Sequence, residues 1–366
     1  MIKIRENICL APYTTLQVGG CASYFAEPEN DDEIIEALGW ARSRSLAVFV
    51  LGGGSNLLVS DAGFGGLVLH MTMAGIDVRN HGGKRIYSAG AGLEWDAVVK
   101  LAVEDDCAGV ECLSGIPGSV GGTPVQNVGA YGQDVSGTIV RVCAIDAATL
   151  EPVEFDRVAC HFGYRQSRFN GTDRGCYILT RVDYALEPGG APSITYPDLK
   201  RRFGPNHATP SLVQTREVVL AIRRAKAMVL DRNDGDSRSA GSFFKNPVVS
   251  LADYERIAAC SAVPVPHFAA GDGQVKLTAA WLIEQAGISK GFVLGPVAIS
   301  SKHTLALINR GGATAADVLT LKEFVQRRVC ERFGVALLPE PVMLGFSEFA
   351  GESGRVSCAE IESSGS

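Results

Sequence analysis

Three polar side chains have surroundings that suit chemistry. Ser242 lies in SAGSFFKNP (239–247), between an Ala-Gly pair and two phenylalanines, with Lys245 and Asn246 just beyond. A serine in that setting either attacks a substrate, donates a proton to one, or packs. Arg165 lies in FGYRQSRF (162–169), a basic and aromatic stretch. A guanidinium there stacks on tyrosine, pairs with a carboxylate, or meets a ligand anion. Glu340 lies in the apolar LLPEPVML (337–344), between two prolines. It sits at a strand end in solvent, or it is buried with a partner and a raised pKa. A hydrolase would need G-x-S-x-G around Ser242, with a histidine and an acid as partners. The sequence is A-G-S-F-F, and the nearest downstream histidine, His267, carries no signature.

Two glycine-rich stretches suggest a bound anion. GGGSN (52–56) directly follows an apolar run, and its three glycines allow several amide N–H groups to turn toward one point. The alternative is a plain tight turn. GIPGSVGGTPVQNVGAYG (115–132) has six glycines in eighteen residues, yet Val120, Val125, Val128 and Tyr131 give it packing residues. That mixture implies a backbone that closely approaches something, such as a diphosphate and a flat ring. Neither stretch is a G-x-G-x-x-G fingerprint or a P-loop, and GAGLEW (90–95) starts like the fingerprint and then fails. A nucleotide site here is therefore neither Rossmann nor P-loop.

The elements that must hold these residues are legible in outline. LAVFVL (46–51), GLVLHM (66–71) and RIYSAG (85–90) read as strands, the last leading into a helix across 93–103. TIVRVCAID, PVEFD and YILTRVDYAL, within 137–186, read as further strands broken by turns. This order predicts α+β rather than a doubly wound parallel sheet. A loop is expected at 187–192, helical spacing over 211–230 and a helix at 278–285. A last helix starts at Thr314, with Asp317 three residues on, and stops at Gly334. Its face of Val318, Leu321, Val325 and Val329 reads as core packing.

Composition excludes several classes. The 366 residues are long for one core, and 46% hydrophobic with 20% charged residues describes an ordinary globular chain. A net charge of −6 argues against a general nucleic-acid binder but not against a local cationic pocket. The N-terminus lacks a signal-peptide core, and no apolar run spans a bilayer, so a soluble, cytoplasmic protein is expected. The ten cysteines include no CxxC, and Cys143 and Cys176 read as small buried hydrophobes. So large a core-forming chain argues against a disulfide framework. Six histidines without HExxH or a close pair give no support for a metal.

Taken together, GGGSNLLV, IPGSVGG, QNVGAYG, FGYRQS, AGSFFKNP, KLTAAWLIEQAG and LPE, in this order from Thr14 to Gly345, resemble the UDP-N-acetylenolpyruvoylglucosamine reductase family. PSITYPDL (192–199) is similar to the tyrosine-bearing loop of its type I branch. The resemblance implies an FAD-binding fold of the vanillyl-alcohol oxidase (PCMH-type) class in two subdomains, 1–72 and 73–225. An α+β substrate domain at 226–345 and a disordered tail at 346–366 would follow. It implies that NADPH reduces FAD, which then reduces the enolpyruvyl ether of UDP-N-acetylenolpyruvoylglucosamine to UDP-N-acetylmuramate for peptidoglycan.

By the same resemblance, Arg165 and Glu340 stabilise developing enolate charge, with Glu340 protonated, and Ser242 is the general acid. A neutral serine is a poor acid, so help from Lys245 or a water is expected. Tyr196, Lys226, Asn246 and Gln285 would hold substrate, the first two at its diphosphate. Gly52, Gly53, Gly54, Ser55 and Asn56, with Gly118, Ser119, Gly121 and Gly122, would hold the FAD diphosphate. Where relatives often carry Asn-Thr-Phe and a late arginine, this chain has Thr14-Thr15-Leu16 and Val342. Two other readings stand beside this one: a flavin oxidase of the same fold, often with FAD attached covalently, and a non-catalytic nucleotide-binding module.

Overall fold

The computed structural model describes residues 1–204 and 209–346, so nearly all of the tail expected at 346–366 lies outside the described residues. The chain divides into two compact units. One comprises residues 1–8, 22–54 and 64–229; the other comprises 9–21, 55–63 and 230 onward.

The first unit holds two sheets. In one, strands Cys21–Ala26, Phe64–His70 and Val48–Leu51 run parallel, with Arg5–Cys9 at the edge. Helix Asp31–Arg42 follows the strand at 21–26. Asn30 starts it by accepting the Glu33 N–H at 3.0 Å, and Asp31, Asp32 and Glu33 crowd the positive end of its dipole. Ile34, Ala37, Leu38 and Ala41, spaced one helical turn apart, are all buried against the sheet.

The second sheet is antiparallel, in the order Pro152–Asp156, Ile139–Asp146, Tyr177–Pro188, Lys84–Gly90, Ile76–His81. Gly82 and Gly83, at φ 58° and 76°, make the two-residue hairpin between the last pair. Helix Trp95–Glu104 lays Trp95, Val98, Val99 and Ala102 on the core formed by Tyr87, Val142, Val182 and Tyr184. Helices Pro197–Phe203 and Leu212–Ala225 close the unit around Cys112, Leu199, Val219 and Ile222.

The second unit is mixed. Short antiparallel sheets form from Val248–Ser250, Gln274–Leu277 and His267–Ala269, and from Val293–Leu294, Val297–Ile299 and Leu307–Asn309. Helices Ala279–Gln285 and Ala315–Phe333 pack on them. Thr314 and Asp317 bond reciprocally at the start of the long helix, and Gly334 ends it at φ 65°. Val318, Leu321, Val325 and Val329 are buried, as their spacing predicts.

Two N-terminal segments belong to this unit because their side chains complete its core. Leu16, Val18 and Leu58 lie in one cluster with Phe243, Phe244, Leu277 and Leu282. Thr15 Oγ1 donates to the Ser239 carbonyl at 2.6 Å, and Asn309 Nδ2 donates to the carbonyls of Leu16 and Gln17. Strand Leu57–Val59 pairs in parallel with Val342–Leu344.

The cysteines depart from the expectation. Cys143 is only half-buried, and Cys176 is exposed because it ends a turn, its N–H bonded to the Asp173 carbonyl. Cys330 is disulfide-bonded. No helix among the described residues is long and apolar enough to cross a membrane.

Asp61 accepts the Ala315 and Ala316 N–H groups at 2.7 and 3.0 Å, and so caps the long helix from outside. Asp61→Ala is expected to cost about 1–2 kcal/mol, the usual worth of a cap plus the dipole interaction, read as a lower urea midpoint. An unchanged midpoint would mean that the cap contributes nothing.

Candidate active site

In the first unit the two glycine stretches press against each other. A side chain at Gly52 would strike Ser119 Oγ, and a Cβ at Gly53 would stand 2.7 Å from the Gly118 Cα. A Cβ at Gly121 would stand 2.8 Å from the Ala91 Cβ. Gly54 and Gly118 have φ of 60° and 126°, which L side chains rarely adopt. Val120 is fully buried and anchors the second stretch, with its N–H on the Leu93 carbonyl at 2.8 Å. The Gly121 and Gly122 amides are also spent internally, on Ala91 and Ser119 carbonyls. Gly121 is thus required for close approach more than for a free donor.

Arg165 sits on a tight turn at φ 54°. Asn170 donates to its carbonyl at 3.1 Å, and a reciprocal Ser167–Asn170 box fixes the following helical turn. The Arg165 guanidinium donates to the Gly129 carbonyl at 2.8 Å and lies 5.6 Å from the Tyr164 ring. Asn127, buried at φ 45°, ties the same loops together by donating to the Gly163 carbonyl at 3.0 Å. The FGYRQS turn is therefore docked on QNVGAYG.

A polar cluster gathers nearby in the same unit. The Tyr131 and Tyr196 rings meet edge to face at 5.4 Å, and Lys226 Nζ stands 6.0 Å from the Tyr131 ring. Lys226 pairs with Asp198 at 3.1 Å. Burial raises the Tyr131 pKa, opposed by Arg223, and burial followed by Asp198 raises that of Tyr196. Both phenols stay neutral donors. Arg223 is buried, which lowers its pKa, and its Nε has no partner among the described residues. Glu111, also buried, accepts from Gly109, Gln133 and Ser193, and so holds the loop that carries Tyr196.

In the second unit a short pairing assembles the remaining residues. Phe244 bridges Pro339, the Glu340 N–H donates to the Phe243 carbonyl at 2.8 Å, and the Lys245 N–H donates to the Leu338 carbonyl at 2.9 Å. This places Ser242 one residue beyond the Phe243–Glu340 rung. Asn56 donates from Nδ2 to the Glu340 carbonyl at 3.4 Å, and its own carbonyl accepts from Val342 at 3.0 Å. Ser242 Oγ lies 3.3 Å from His303 Nε2.

Asn246 Oδ1 accepts the Ala279 N–H at 2.9 Å, which assigns the amide and starts helix Ala279–Gln285. Gln285, exposed, ends that helix, about 9 Å along the axis from its start. Its neighbour Glu284 accepts from Thr304 Oγ1, next to His303. Asn246 and Gln285 therefore stand at opposite ends of one helix, and only an elongated ligand would meet both.

Two residues of these clusters, His303 and Arg223, were not singled out as site residues by the sequence. His303 lies 61 residues from Ser242 with no motif around it, so only the fold reveals the pair. Arg223 belongs to the basic run 223–226, which suits an anionic ligand or a solvated helix face; Arg223 is buried and Arg224 exposed. The sequence expects Lys245 or a water beside Ser242; the side chain within hydrogen-bond reach of Ser242 Oγ is that of His303.

Gly53→Ala is expected to force the glycine stretches apart and lower the unfolding midpoint by the equivalent of about 1–3 kcal/mol. Gly122→Ala is the control, since a Cβ there meets nothing within 4 Å. Equal midpoints for the two variants would show that the close approach is not a constraint.

Comparisons with known proteins show the family and the fold. Residues 22–146 match the FAD binding domain model, and residues 233–344 match the model for the UDP-N-acetylenolpyruvoylglucosamine reductase C-terminal domain. The curated UDP-N-acetylenolpyruvoylglucosamine reductase of Thermobifida fusca is 44% identical over 94% of this chain and 98% of its own length. That of Mycobacterium marinum is 42% identical over 94% and 96%. The crystal structure of UDP-N-acetylenolpyruvylglucosamine reductase from Thermus caldophilus superposes with a TM-score of 0.66 at 25% identity, covering 94% of this chain and all of that one. The fold is thus an FAD-binding domain of the PCMH type joined to the reductase C-terminal domain, and the chain belongs to the UDP-N-acetylenolpyruvoylglucosamine reductase family.

Proposed function

We propose that the residues gathered above carry out the family's reaction, reduction of the enolpyruvyl ether of UDP-N-acetylenolpyruvoylglucosamine to UDP-N-acetylmuramate. The observation that carries this is the pairing that sets Glu340 opposite Phe243, the residue next to Ser242. FAD, once bound, supplies hydride taken from NADPH. Gly52, Gly53, Gly54, Ser55 and Asn56, with Gly118, Ser119, Gly121 and Gly122, would hold its diphosphate, a role supported by the close approach of the two glycine stretches at Gly52 and Gly53.

Hydride addition at the terminal methylene leaves negative charge on the neighbouring carbon and the carboxylate. Arg165 and Glu340 hold that charge; Glu340 does so as a protonated donor. Ser242 then gives the carbon its proton. Lys226 and Tyr196 receive the diphosphate, Lys226 exchanging its Asp198 partner for phosphate oxygens, with Arg223 adding buried positive charge. Asn246, through its Nδ2 group, and Gln285 hold the more distant part of the sugar nucleotide.

We assign the sheets within 1–72 and 73–225 to two FAD-holding subdomains and residues 226–345 to substrate, and place the protein in the cytoplasm with its nucleotide substrates. Anaerobic half-reactions test the assignment of Ser242. With Ser242→Ala, NADPH is expected to bleach the flavin normally, while reoxidation by the enolpyruvyl substrate slows by about 100-fold or more, the usual worth of a general acid. Normal rates in both halves would remove Ser242 from the reaction.

A further inference from the structure

A serine that donates a proton must point its O–H at the substrate, and something else must satisfy its oxygen. His303 Nε2 lies 3.3 Å from Ser242 Oγ, and the His303 backbone is held from several sides. Its own N–H donates to Ser300 Oγ at 3.2 Å, and its carbonyl accepts from Ala306 at 3.1 Å. The next residue, Thr304, is buried and donates to Glu284. The residue after that, Leu305, accepts the Phe243 N–H at 2.7 Å, so the histidine loop and the serine strand share a hydrogen bond. The loop that carries the ring is therefore fixed beside the serine strand.

The two ring tautomers give the serine opposite roles. If Nε2 lacks a proton, it accepts the serine O–H and draws that hydrogen away from a substrate, as in an activated nucleophile. If Nε2 carries a proton, it donates to Oγ, and the serine hydrogen is free to turn elsewhere. Donation to Oγ also stabilises the oxygen as its proton leaves.

We propose that His303 is a positioning residue for proton delivery: its Nε2–H donates to Ser242 Oγ and keeps the serine O–H directed at the carbon to be protonated. The Ser242 O–H bond breaks as the new C–H bond forms, no bond joins serine to substrate, and the alkoxide left behind keeps the Nε2–H hydrogen bond until solvent water returns its proton. This rests on the reading of Ser242 as the proton donor.

The test compares His303→Leu, His303→Gln and Ser242→Ala in the FAD-loaded protein, following the two half-reactions separately. Gln retains an N–H donor, and Leu has a similar bulk without one. Leu is expected to slow substrate-driven flavin reoxidation by about tenfold or more, the worth of one lost hydrogen bond to a developing charge, while Gln stays near the native rate. NADPH-driven reduction and the melting midpoint should be native in both. Leu and Gln variants with equal rates, fast or slow, would overturn the role of His303. A native rate for Ser242→Ala would instead overturn the reading of the serine.

A second measurement needs no turnover and no variant to fold. In protein labelled with ¹⁵N-histidine, Nε2 of His303 is expected to show a directly bonded proton. An unprotonated Nε2 accepting from Ser242 would overturn the proposal.

Discussion

The arrangement of the chemistry in the second unit depends on one short stretch of backbone pairing, Phe243–Lys245 against Leu338–Glu340. Its hydrogen bonds are few, and alone they would be marginal. Phe243 and Phe244 make it secure, since both are fully buried in the unit's main core. Burying such a side chain stabilises by roughly 1.5–3 kcal/mol, more than the net worth of a backbone hydrogen bond. Ser242 and Glu340 are adjacent to these anchors, so they inherit fixed positions without contributing to the packing. The parallel pairing of 57–59 with 342–344 then brings Asn56 to the Glu340 carbonyl. The chain's apolar residues pay for the precision of its polar ones.

In the first unit the positioning device is different. Asn127, Tyr131 and Arg165 all take positive φ, at 45°, 50° and 54°. Such conformations cost roughly 1–3 kcal/mol each for ordinary residues and survive only where surroundings over-determine them. Here they are held by the Asn127–Gly163, Asn170–Arg165 and Arg165–Gly129 hydrogen bonds. The strained residues coincide with the loops that carry the candidate arginine and tyrosines. A stacked or paired arginine and a ligand-binding arginine are not exclusive here, because the bond to Gly129 fixes the direction in which the guanidinium extends.

How much of this was readable in the sequence follows from which signals are local. The strands at 48–51, 64–70 and 84–90 and the helix capped by Thr314 are set by apolar runs, caps and glycines close in the chain, and were legible. The strand Ile76–His81 was not, because it is an edge strand with exposed polar residues; only Gly82-Gly83 marked it. Local pattern also could not show that residues 9–21 and 55–63 pack with residues beyond 230. Ser242, Arg165 and Glu340 stood out by their neighbours. His303 did not, since its contact is with a residue distant in sequence, and the basic run at 223–226 pointed to an anion without disclosing that Arg223 is buried.

Charge poses a last question: how a chain of net charge −6 receives a nucleotide diphosphate. Overall charge acts over distances that salt screens, whereas a site acts within a few ångströms and under burial. Beside Tyr131 and Tyr196 the chain keeps Lys226 on Asp198, a pair that is still more than a quarter exposed on each side. Such a pair is worth little in water, so exchanging the carboxylate for a phosphate oxygen is inexpensive. Arg223 differs: it is buried, its Nε is unsatisfied among the described residues, and its desolvation has already been met by folding. A ligand anion near it gains attraction without bearing that cost again. An exchangeable surface cation beside a buried, underused one gives a local positive field that the overall acidity does not cancel.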